Sequence, residues 1–192
     1  LVGQREFVCV RCRFENNQAS NGGAFYGLGT QLIRFYDSVL LNSRATGDGG
    51  NPGSGGNGGG IAVDGESREL SLCRTRVEGS HANAFGAGLF TTVYDQSSVT
   101  RIWQSSFIAN IQDGNDQHTG GAYIQGGLVS IRDSTFANND ANGYGGLSLF
   151  DHQTGSGLIT LGGEIVSSTF FGNVARNGLG GAMNLQGTAP LL

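Results

Sequence analysis

Side chains able to do acid–base or metal chemistry are few and scattered along this chain of 192 residues. Asp113, Asp116 and His118 share one stretch, NIQDGNDQHTGG, and Asp151 is followed directly by His152. A carboxylate beside an imidazole is what a proton-transfer or metal site needs, so these are the first places to look for catalysis. Solvated loop polarity is the simpler use of both. Cys9 and Cys12 form a single C-x-x-C, with Cys73 far away and no His nearby. That pattern lacks a zinc ligand set and reads as apolar filler, with at most one local or intermolecular disulfide. The stretch GGNGGGIAVDG partly matches a calcium-binding glycine nonapeptide, but its Asp is misplaced and no second copy follows. No metal and no cofactor is expected.

A different kind of chemistry is suggested by Arg11, Arg13, Arg34, Arg74, Arg76 and Arg101, with Trp103 beside the last of them. Arginine forks and an exposed indole suit recognition of a sugar or an acidic partner. The alternative is a charged strand face that prevents lateral aggregation. All 11 basic residues are arginine, the net charge is −4, and only 14% of residues are charged. That balance gives no support for nucleic-acid or membrane-surface binding. No apolar run approaches the ~20 residues of a membrane span.

These side chains must be positioned by an unusual framework. Glycine accounts for 35 residues and proline for 2, yet 38% of the chain is hydrophobic, so it is not a disordered low-complexity sequence. Six segments align on an anchor: Phe14, Leu40, Val77, Phe107, Phe136 and Phe170. Five residues before each anchor stands an apolar or Cys residue, and two before it a small one. Three after it comes a short polar residue, Asn17, Asn110, Asn139 and Asn173 in four of the six. Five after it comes Ala, with Gln112 the exception. Each segment then reaches a Gly-rich pair, from GGA at 22–24 to GGA at 180–182. Between the pairs the chain alternates apolar and polar residues at period 2, the sign of strands.

Strands repeating roughly every 30 residues, with like residues in like places, predict an all-β, single-domain, right-handed parallel β-helix of about six coils across residues 1–192. At ~4.8 Å per coil such a rod is roughly 30 Å long. The Phe and Asn columns then stack as structural ladders, and the Gly pairs turn corners. Arginines at −6, −3 and −1 from the anchors fall in or beside one strand and face outward, as does Trp103. Asp37 and Asp133 hold one repeat position; set four coils apart, about 19 Å, they cannot act together on a sugar. Excursions at 45–60, 110–121 and 150–157 leave the rod as loops. The absence of an initiator Met or a signal peptide fits a processed or excised piece of something longer.

Repeated F-x-x-N followed by G-G-A-[ILV], complete at Phe14–Asn17, Phe107–Asn110, Phe136–Asn139 and Phe170–Asn173, resembles the chlamydial polymorphic outer-membrane proteins. Members of that family are autotransporter passengers. The resemblance implies a right-handed β-helix, secretion to a bacterial cell surface and an adhesin's role. Sparse cysteine and the lack of a C-terminal barrel depart from it. The expected function is a non-enzymatic surface protein, an adhesin-like rod whose partner is a glycan or a host or neighbouring surface protein. An alternative is a structural subunit joining end to end with itself through uncapped edges into an extracellular filament. A polysaccharide-active enzyme is a second alternative.

Overall fold

The structure, a computed structural model, describes residues 2–47, 55–115 and 118–187. Asp116, residues 48–54 of the Gly-rich excursion and the last five residues lie outside the described residues. Four parallel six-stranded sheets run the length of the molecule, each taking one strand from every coil. This is the predicted parallel β-helix of six coils. Among the described residues there is no helix long and apolar enough to cross a membrane.

The first sheet is built from Glu6–Val10, Leu32–Tyr36, Glu69–Cys73, Val99–Trp103, Gly127–Arg132 and Leu161–Val166. The second holds the anchors, on strands from Arg13–Glu15 to Thr169–Phe171. The third has two-residue strands such as Gln18–Ala19. The fourth runs from Phe25–Leu28 to Met183–Gln186. Anchor lies on anchor throughout, Phe14 on Leu40 and Phe136 on Phe170. Stacking puts the Phe107, Phe136 and Phe170 rings nearly parallel at 5.1 and 5.0 Å. The interior is a continuous apolar column that includes Ile33, Phe35, Leu72, Ile102 and Ile131, all essentially without solvent contact. Alternation at period 2 places them inward, because residues next to them in sequence, such as Arg34, Tyr36, Ser71, Arg101, Trp103 and Arg132, face out.

The polar columns satisfy the corners. Asn139 is fully buried. Its Oδ1 accepts the Asn110 backbone N–H at 3.0 Å and the Asn110 amide at 2.9 Å. Its Nδ2 donates to Phe107 O at 3.0 Å and to Asn173 Oδ1 at 2.9 Å. The small column works likewise: Ser134 Oγ accepts the Ser105 N–H at 3.1 Å and donates to Arg132 O at 2.7 Å. In coil one that column holds Cys12, which is bonded to Cys9.

Two findings depart from the sequence expectation. The Gly pairs do not turn every corner. Between the first and second sheets the chain turns on a single left-handed residue in every coil, at Arg11, Asp37, Arg74, Gln104, Asp133 and Ser167. Between the second and third it turns on Asn16, Asn42, Gly79, Ala109, Asn138 and Gly172. A Cβ costs about 1–2 kcal/mol in that conformation. Ala109→Gly is therefore expected to stabilise the rod by about 1 kcal/mol after the entropy of the freer unfolded chain is subtracted, raising Tm by a few degrees in a calorimetric scan.

The other departure is register. Ile61 pairs with Phe25, not Ala24, and Leu147 with Met183, not Ala182. In the first and last coils the Gly pair thus sits one position early, and the larger apolar side chain takes the core place. The outer face of the fourth sheet is also covered. Ala62, Phe90 and Tyr123 point away from the core yet are buried, with Phe85 against them. His118 packs on Phe85 at 3.9 Å.

Candidate functional site

The predicted arginines all have exposed or half-buried side chains on the outside of the rod, in the first-sheet strands, at the corner that follows them and just beyond it. Arg34 and Arg101 lie on the first sheet, Arg11 and Arg74 at the left-handed corner, and Arg13 and Arg76 at the starts of second-sheet strands. Five of the six are ion-paired. Arg34 bridges Glu6 and Glu69, each at 2.8 Å, and Arg101 reaches Glu69 at 3.0 Å. Arg74 grips Asp37 with two nitrogens, at 2.5 and 3.0 Å. Arg13 pairs with Glu15 and Arg76 with Glu78 along their own strands. Arg11 stands near Asp37 at the same corner, close enough to favour its ionised form.

The outer face of the first sheet carries three columns, fixed by strand register. One runs Val8, Arg34, Ser71, Arg101, Ser130, Glu164; the next runs Val10, Tyr36, Cys73, Trp103, Arg132, Val166. Trp103 is 39% exposed in the middle of this face. Its Nε1 donates to Ser130 Oγ at 3.0 Å, which leans the indole toward the next coil. Ser130 Oγ in turn donates to Glu164 Oε1 at 2.9 Å, and Arg132 Nε donates to the same oxygen at 2.8 Å. Shallow depressions border the indole on three sides. The Arg132 and Glu164 partners were not singled out in the sequence. They become visible only once the register sets Arg101 beside Ser130 and Glu164.

Hydrogen bonding from Arg34 holds the Glu69 carboxyl well below its ordinary value, at about 2, with Ser71 and the Arg101 charge adding to it. The folded state therefore releases this proton more readily than the unfolded chain. The stability it contributes is full above the unfolded carboxylate range, near pH 4.5, and is lost as pH falls toward 2. Glu69→Gln is expected to flatten the pH dependence of urea midpoints across that window and to leave the slope above pH 5 unchanged.

The acid–base candidates do not come together. Asp113 receives Arg44 and His81, each at 3.0 Å, on the outside of the third sheet, whereas His118 packs against Phe85. Asp151 Oδ1 accepts the Leu161 N–H at 2.7 Å. His152 turns the other way, buried, with Nδ1 2.7 Å from Val93 O. A carbonyl only accepts, so Nδ1 carries the proton. The expected excursion at 150–157 includes part of an antiparallel hairpin, His152–Thr154 with Gly157–Ile159, whose His152 contacts Thr92 and Val93 at the end of a fourth-sheet strand. Near His152 lies Asp64, the Asp of the GGNGGGIAVDG stretch, here a buried carboxyl. Burial raises its pKa, while Gly65, Tyr94 and His152 oppose the rise. Asp37 and Asp133 stand three coils apart, not four, since strand register runs Tyr36, Cys73, Trp103, Arg132. Among the described residues no group of His, Cys, Asp and Glu is arranged to hold a metal ion. Comparison with known proteins returns no matching family model, no matching curated protein and no matching solved structure.

Proposed function

We propose that this chain is a non-enzymatic extracellular rod, adhesin-like, that binds through the outer face of its first sheet. The observation that carries the reading is the half-exposed Trp103, set among ion-paired Arg and Glu side chains on a flat and regularly stacked face. Such a face offers a rigid aromatic with fixed donors and acceptors, so little side-chain entropy is lost when a partner docks. The Cys9–Cys12 disulfide suits an oxidising compartment. The F-x-x-N and G-G-A repeats, similar to those of autotransporter passengers, support a cell-surface setting. A non-enzymatic role is supported by Asp37 and Asp113, both already occupied by basic partners.

A second reading, head-to-tail assembly, is favoured by the direction of the polar ladder. At the Asn column the backbone N–H of Asn17, Ser80, Asn110 and Asn139 each donates to the next coil's side-chain oxygen, Ser43 to Ser80 being the one step without this bond, and among the described residues the ladder runs out at Asn173. Asn17 of a second copy has the matching acceptor in the same column. Labelled chain is to be titrated onto intact bacterial and animal cells and onto immobilised cell-surface glycans, with negative-stain microscopy across the same concentrations. Saturable binding that weakens at least tenfold in Trp103→Ala, by particles that stay short, supports the first reading. Uniform fibres that lengthen with concentration support the second.

A further inference from the structure

Tyr36 and Trp103 share one outward column, with a single small residue, Cys73, between them. Two rungs of ~4.8 Å set the aromatic positions about 9.6 Å apart. Van der Waals contact on both faces of a flat ring takes roughly 7–8 Å, so a spacing of this size leaves room for one ring between the two aromatic side chains. A cleft of about 300 Å³ occupies that place, with Ser71 and Cys73 as its floor and Arg34, Glu69 and Arg101 along one side. Its size is at the small end of the ~300–1,000 Å³ usual for ligand pockets. The indole, tied to Ser130, leans away from Cys73 and keeps the cleft open.

Charge decides what kind of ring belongs there. The face carries three arginines, Arg34, Arg101 and Arg132, and three glutamates, Glu6, Glu69 and Glu164, each joined to an opposite charge. A balanced set gives no net field to draw in a polyanion. It does give a row of fixed donors and acceptors, which suits hydroxyl groups that both donate and accept. An aromatic ligand would use the walls and leave the ionic edge without new partners. A sugar uses both.

We propose that the cleft between Tyr36 and Trp103 is a subsite for one uncharged pyranose residue of a glycan, its ring between the aromatic side chains and its hydroxyls on Arg101, Glu69 and Ser71. This rests on the binding-rod reading and narrows it to a substrate class, against the anionic glycan that a bare arginine stripe would select.

Trp103 is the only tryptophan in the chain, so its emission reports the subsite directly. The whole chain is titrated with uncharged gluco-, xylo-, manno- and galacto-oligosaccharides, and with oligogalacturonate and heparin fragments. A saturable change with at least one uncharged series, unmoved between 50 and 500 mM salt (roughly a threefold change in screening length), is expected. Cys73→Phe, which fills the cleft while keeping both aromatics, is expected to weaken binding at least tenfold with the β-sheet circular dichroism and Tm retained. Tyr36→Ala is expected to do the same. A response to the anionic fragments alone, or uncharged binding indifferent to Cys73→Phe, overturns the subsite. If no sugar binds while the rod still attaches to cells through Trp103, the subsite falls and the binding-rod reading stands. If attachment is also lost, both fall.

Discussion

Asn139→Leu is expected to lower stability by about 3–5 kcal/mol, one of the larger losses a single side chain can produce here. The substitution keeps the volume and removes the polarity. The Asn110 N–H loses its acceptor and Phe107 O loses its Nδ2 donor, both on fully buried residues. An unpaired buried group of this kind costs about 1–3 kcal/mol, and the amide-to-amide bonds on either side weaken with it. Asn139→Ser is expected to cost less, because Ser43 already serves this column in coil two, accepting the Asn17 N–H at 3.3 Å. Thermal unfolding followed by circular dichroism tests the order. Tm should fall by about 10 °C or more in the leucine variant, with the serine variant in between. Equal losses in the two would mean that the column works by packing and not by hydrogen bonding.

Gly121→Ala is expected to be as harmful, at about 4 kcal/mol or outright failure to fold, for a steric reason. A Cβ at this position lands on the carbonyl oxygen of Gly146 in the next coil. That oxygen cannot retreat, since it accepts the Ala122 N–H at 2.9 Å in the bond that joins the coils. Gly155, on the hairpin, has open space where its Cβ would be. Gly155→Ala is expected to fall within about 0.5 kcal/mol of the parent. Soluble yield and urea midpoints of the pair measure the contrast. A well-folded Gly121→Ala protein would show that coil spacing yields more easily than the hydrogen-bonded stack implies.

The stacked columns were legible because repetition overrides local ambiguity. A Phe or an Asn at one position says little, while the same residue at the same place in coil after coil can only mean that the places are superposed. The corners were not legible. Arg11, Gln104 and Ser167 carry no signal for left-handed backbone; the turn is imposed on them by the sheets they join. The first-coil register was missed because Ala24 and Phe25 are both apolar, and only the size of the core place chooses between them. At the candidate site, parity placed Trp103 outward one residue beyond Ile102. The carboxylates that neutralise the arginines were invisible, since Glu69 meets Arg34 and Arg101 from an intervening coil. The cleft itself depends on Tyr36 and Trp103 having a small residue between them, a relation that exists across strands and nowhere along the chain.

The uneven lengths of the coils have a mechanical meaning. Pulled by its two ends, a stack of this kind peels from an edge, one coil at a time, because every coil is bonded only to its neighbours. Each release frees the slack held in that coil. Phe14 to Leu40 spans the shortest repeat and Leu40 to Val77 the longest. At about 3.4 Å per extended residue, the first would release about 90 Å and the second about 125 Å. A tether made this way yields under load in discrete, unequal increments, and so absorbs work in stages before it parts.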